Sequence, residues 1–68
     1  MSEVTKWRCV VEPSVQFWVE AIEEGMGVLF HVVCQFDGYP ATEAFDDWFA
    51  TREDAEAIAK LLAEGREL

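Results

Sequence analysis

Val28-Leu29-Phe30-His31-Val32-Val33-Cys34-Gln35-Phe36 is the stretch on which the fold turns. It is the longest nearly unbroken apolar run in the chain, rich in β-branched and aromatic residues. Gly25-Met26-Gly27 precedes it and Asp37-Gly38-Tyr39-Pro40 follows, so turn residues bound it on both sides. Such a run predicts a central strand with both faces covered. Immediately upstream, Val15 to Glu24 predicts a second strand, with helix as the competing reading; Phe17, Trp18 and Val19 favour strand. A two- or four-residue loop between the two strands pairs Phe17 with Phe36, Val19 with Cys34, Ala21 with Val32 and Glu23 with Phe30. A three-residue loop would shift this by one and mix Glu20 with Val32 and Trp18 with Cys34. The first register keeps one face mostly apolar and is preferred. Its other face then shows Trp18, Ile22, Leu29, His31 and Val33, interrupted by Glu20, Glu24 and Gln35.

Working outward, Val4 to Glu12 alternates Trp7, Cys9 and Val11 against Lys6, Arg8 and Val10. This predicts a first strand with the former three facing the core, ended by Pro13, which has no N–H to give a ladder. On the other side, Asp37-Gly38 is a tight-turn dipeptide, and Glu43 to Phe49 predicts a short fourth strand with Phe45, Asp47 and Phe49 on one side. The adjacent acids Asp46-Asp47 make that strand an edge or a bulged one. Thr51 is a fitting helix N-cap, with Asp54 three residues on and Glu53 near the positive helix end. Ala55, Ile58, Ala59 and Leu62 follow at helical spacing, Gly65 stops the helix, and Lys60 and Arg66 suit its negative end. The expected fold is α+β: one domain over 1–68, an antiparallel meander of three to four strands packed on one face by a single C-terminal helix.

At 68 residues the chain sits near the lower limit for a domain that folds alone. Hydrophobic residues make up 51%, which excludes disorder and exceeds what one small sheet-and-helix core obviously needs. The formal charge is -9, and from Cys9 to Thr51 there is no Lys or Arg. That stretch holds Glu12, Glu20, Glu23, Glu24, Asp37, Glu43, Asp46 and Asp47. Contacts to a phosphate backbone or an anionic membrane surface need cationic clusters, so neither nucleic acid nor membrane is the expected partner. A field of one sign favours encounter with a basic protein, although the same acidity also serves solubility. No secretory leader and no stretch of about 20 apolar residues is present, which points to a cytoplasmic protein (the host cytoplasm if phage-encoded), and Cys9 and Cys34 read as free, buried thiols.

Catalytic chemistry has little to work with. His31 is the only histidine, Ser2 and Ser14 are the only serines, and no glycine-rich phosphate loop occurs. His31 and Cys34, three apart on a strand, point to opposite faces and cannot share a metal ion. Asp46-Asp47 lacks the further carboxylates of a calcium loop, so no metal and no cofactor is expected and the chain is not expected to be an enzyme.

A binding role remains. The candidate partner-contacting acids are Glu20, Glu23, Glu24, Asp37, Glu43, Asp46 and Asp47, with Trp18, Tyr39 and Trp48 as apolar anchors, because an aromatic beside carboxylates is what a binding hot spot tends to contain. In size, acidity, absence of catalytic groups and strand-rich layout, the chain resembles the small phage-encoded anti-CRISPR proteins. That resemblance covers general character along the whole chain, carries no motif, and implies an inhibitor that blocks a basic, nucleic-acid-binding surface of another protein, a form of DNA mimicry. The strand-rich order ending in Phe49-Ala50-Thr51-Arg52-Glu53-Asp54-Ala55 also resembles the arm-binding domains of tyrosine recombinases. Those present a basic sheet to DNA, whereas this chain offers only Lys6 and Arg8. The alternative expectation is a homodimeric structural or adaptor domain whose second sheet face is buried against its twin.

Overall fold

The structure, a computed structural model, describes residues 4–65. It contains β1 (Trp7–Arg8), β2 (Val15–Glu24), β3 (Gly27–Phe36), β4 (Thr42–Glu43) and α1 (Arg52–Ala63). The strands form one antiparallel sheet in the order β1-β2-β3-β4, a meander, and α1 packs against β2 and β3 on one face. This is the expected α+β architecture.

The β2–β3 hairpin is its frame. Gly25 and Met26 make a two-residue turn in which Gly25 has φ +60 and Met26 no positive φ, the pattern of a type II′ hairpin turn. The register is therefore Phe17 with Cys34, Val19 with Val32, Ala21 with Phe30, and Glu24 with Gly27. This corrects the expected pairing by two residues. The expectation placed Gly27 inside the loop; glycine is instead needed at the first loop position, where φ is positive. A slip of two preserves the face each side chain occupies, so the alternation of core and outer residues survives the correction.

β1 is shorter than the expected Val4–Glu12. After Cys9 donates to Val15 O (2.8 Å), the Val10 N–H turns to Ala63 O at the helix end (2.8 Å), and the chain leaves the sheet. Val11, expected to face the core, is 75% exposed. Its side chain lies over Gly65 (φ +79), where an added Cβ would come within 3.1 Å of Val11 Cγ2. The predicted strand over Glu43–Phe49 is also corrected. Only Thr42–Glu43 pairs with β3, followed by an isolated bridge of Phe49 to Phe30. A straight strand would turn Asp47 to the same side as Phe45 and Phe49. Leaving the ladder lets those two rings stack (centroids 6.0 Å apart) against the core while Asp46 and Asp47 stay exposed.

Thr51 caps the helix as expected, its Oγ1 accepting from the Asp54 N–H at 3.2 Å. Ala55 and Ala59 are fully buried against Val19 and Val32, with Phe17, Phe30, Phe45, Phe49, Ile58 and Leu62 packed around them. Alanine has no side chain beyond Cβ, so the helix axis can approach the sheet closely. Val32, with no exposed surface, is the large side chain at the centre of that contact. Arg66 and Ser2 lie outside the described residues.

Candidate functional site

The face of the sheet turned away from α1 carries the chain's polar constellation. Antiparallel pairing sets Glu20 directly across from His31 and Val33 across from Glu43. One carboxylate thus flanks each nitrogen of the imidazole: Glu20 Oε1 lies 3.7 Å from Nε2, and Glu43 Oε2 lies 3.2 Å from Nδ1. Each carboxylate also accepts an indole N–H. Trp18 Nε1 donates to Glu20 Oε2 at 3.0 Å, and Trp48 Nε1 donates to Glu43 Oε2 at 2.9 Å. The Trp48 ring meets His31 edge-on, with centroids 6.4 Å apart. A chain of contacts therefore runs Trp18–Glu20–His31–Glu43–Trp48 across three strands and the segment that follows β4.

Its electrostatics follow from the donors. The Trp48 indole N–H and then the His31 hydrogen bond hold the Glu43 carboxyl below the ordinary glutamate value; partial burial opposes this and the His31 charge adds to it. When His31 is an imidazolium, Nδ1 donates to Glu43 and Nε2 faces Glu20 as a charge pair at 3.7 Å, too long for a hydrogen bond. The two carboxylates sit on opposite sides of the ring, so they do not converge on a common point. Among the described residues, no group of three or more His, Cys, Asp or Glu is arranged to hold a metal ion. Cys34 lies on the helix side of β3, away from His31, half-buried rather than buried; Cys9 is buried, and both thiols are free.

Trp18 needs a correction. It was expected on an open face as an apolar anchor, yet it is only 7% exposed, as its cross-strand neighbour Val33 is at 4%. Lys6 covers it, with Nζ 4.5 Å from the ring centroid. Trp48 and Tyr39 are presented to solvent, at 43% and 64% exposure. Tyr39 stacks edge-on against the exposed Phe36, with centroids 5.6 Å apart, beside Asp37 at the far end of the hairpin from its turn. Glu23 and Glu24 flank the Gly25–Met26 turn, and Asp46 and Asp47 precede Trp48 in the segment between β4 and α1. The candidate residues therefore form three groups rather than one patch: the His31 constellation with Trp48 and the adjoining acids, the hairpin tip, and the Asp37–Tyr39 corner.

His31, which the sequence pattern set aside as a metal ligand and otherwise left without a role, is the residue that sequence reasoning missed. A turn centred on Gly25-Met26 sets Glu20 opposite His31, and that pairing was the signal available for it. Two of the cations are turned onto aromatic rings: Arg52 lies over Phe30 at 5.0 Å, as Lys6 lies over Trp18. Among the described residues, Glu23, Glu24, Asp37, Asp46 and Asp47 form no ion pair. A crevice of about 220 Å³ between β1 and the end of α1, lined by Trp7, Arg8, Val10, Lys60, Ala63 and Glu64, lies apart from all three groups. It is smaller than the roughly 300 Å³ at which small-molecule sites begin. No protein-family model matches the chain, and no curated protein and no solved structure matches it. Among the described residues, no helix is long and apolar enough to cross a membrane.

Proposed function

We propose that this chain is a small acidic binding protein that seats its sheet-and-turn portion on a basic, nucleic-acid-binding surface of a partner protein and blocks it, as anti-CRISPR inhibitors do. The observation that carries this reading is the set of carboxylates left without a counter-charge. Glu23, Glu24, Asp37, Asp46 and Asp47 have no ion-pair partner among the described residues, while Lys6 and Arg52 are turned onto aromatic rings. Unpaired surface carboxylates keep their hydration and their field, and both are available to a cationic surface. Trp48, half-exposed beside Asp46 and Asp47, supplies the apolar contact that charge steering alone does not.

The test is capture from bacterial lysate at low salt, followed by competition of the captured protein with DNA. Recovery of a nucleic-acid-binding protein that is released by salt and displaced by DNA is the expected result. Asp46→Lys combined with Asp47→Lys is expected to weaken that capture at least tenfold while leaving the unfolding midpoint within experimental error. Unchanged capture by this folded variant would reduce the acidic segment to a solubilising role.

A further inference from the structure

The two strands of the central hairpin are each ten residues long, but their outer edges are used very differently. On β3, most of the outward-facing backbone groups beyond Val28 are taken up. Phe30 exchanges both bonds with Phe49 (2.8 Å each way), Val32 O accepts from Ala44 N (2.9 Å), and Cys34 pairs with Thr42. On β2, β1 pairs only with Gln16 and Phe17, and Cys9 reaches Val15. In an antiparallel ladder, alternate residues turn their N–H and C=O to opposite sides. The two-residue turn directs Glu24, Ile22, Glu20, Trp18 and Gln16 toward β3, so Val15, Phe17, Val19, Ala21 and Glu23 bond outward. Among the described residues, the outward N–H and C=O of Val19, Ala21 and Glu23 have no backbone partner. Val19 is itself buried, at 3%, so the open part of this row is Ala21 and Glu23, and an open row of this kind is a template for one more strand.

The flanking side chains choose what that strand is. On the face away from the helix, β2 presents Glu20, Ile22 and Glu24 in succession; on the helix face, Ala21 and Glu23. An incoming strand sets its residues directly beside these, so the fitting segment carries a cation, an apolar residue and a cation at alternate positions. A second copy of the chain fits badly. A twofold axis at Ala21 would put Glu20 of one copy diagonally beside Glu20 and Glu24 of the other, roughly 7–8 Å away, between two chains of formal charge -9.

We propose that the outer edge of β2, from Ala21 to Glu23, accepts an extended Lys- or Arg-bearing segment of the partner as an added antiparallel strand. This rests on the acidic-binder reading above and names the element through which it would act. The main-chain bonds supply direction and register; the carboxylates supply the preference for a basic segment.

The probe is a capped peptide of sequence Thr-Lys-Thr-Val-Thr-Lys-Thr, followed by amide hydrogen exchange and titration. On peptide addition, the Ala21 and Glu23 amides are expected to gain at least tenfold protection, while those of Glu20 and Ile22, already bonded to β3, change little. Two N-methylated versions of the peptide, blocked at alternate sets of amides, are expected to differ: one set abolishes binding and the other leaves it. Ala21→Pro removes one outward N–H without touching the β2–β3 ladder and is expected to weaken binding at least tenfold. Binding that both methylated peptides retain equally would overturn strand addition and leave the acidic-binder reading standing. The same holds if the peptide fails to bind while a basic protein is still captured from lysate; loss of both would sink the two readings together. A dimer in the peptide-free protein with these amides protected would assign the edge to a second copy. A monomer with them already protected would assign it to the chain's own terminal residues. Either result overturns the proposal.

Discussion

The two faces of the sheet are held by different physics. On the helix side, Val19 and Val32 meet Ala55 and Ala59 with almost no exposed surface and no polar group among them. On the far side, Trp18 and Val33 are just as buried at 7% and 4%, but what covers them is polar: Lys6 over the indole, and Glu20 between the indole N–H and His31. The first face is maintained by removal of apolar area from water, which is indifferent to protonation and weakly dependent on salt. The second depends on which of its groups are charged. A chain this small therefore has one face that resists changes in conditions and one that responds to them.

The largest expected effect tests the first face. Val32→Ala removes two methyl groups from a site with no exposed surface, costing about 2 kcal/mol or more by lost burial and residual cavity. A domain of this length holds only about 3–10 kcal/mol in total. Urea unfolding at low and at high salt checks it. A loss that varies strongly with salt would mean the packed face is coupled to the charged one, and the division between them would fall.

Acid titration tests the second face. Glu43 has a folded pKa below its unfolded value. It therefore contributes stability that is fully present above the unfolded value and is lost as pH falls through the folded one. The urea midpoint is expected to drop across the acid end of the carboxylate range, and Glu43→Gln to flatten that part of the curve. A profile unaltered by the substitution would remove Glu43 from the account. The smallest effect sharpens the picture without disturbing packing. Trp48→Phe deletes the indole donor that contributes most to the shift, so the Glu43 carboxyl should titrate closer to an ordinary glutamate. Carboxyl carbon NMR shifts followed with pH are the direct measurement, and an unmoved Glu43 would transfer its low value to His31.

What could be read in the residues follows the same division. The packed face was legible because alternation along Val15–Glu24 and Val28–Phe36, and the alanine spacing after Thr51, each point to one answer and survive a two-residue slip. The charged face was not, because it depends on which residues lie directly opposite. Two glycines bracket Met26, and periodicity alone does not tell which of them must take positive φ. With that choice open, Glu20 has no reason to be placed beside His31, and Trp18 has no reason to be placed under Lys6. The short ends of the sheet failed for a third cause. Hydrogen bonds from outside the strand, Val10 to Ala63 and Phe49 to Phe30, drew the chain out of ladders that local sequence favoured. The acidic groups themselves were plain in the sequence, but their gathering into three places was not.

The meander order has a bearing on how the molecule comes to exist. Every strand lies beside its nearest neighbour along the chain, and the two long ones are joined by only Gly25 and Met26. Closing so short a loop costs little chain entropy, so the hairpin can assemble before anything distant arrives. The helix makes the longer return, its last turn meeting Val10 from the other end of the chain. Without the helix, Val19 and Val32 would stand in water on a bare ribbon, so its turns cover the apolar surface through which copies of the chain would otherwise stick together.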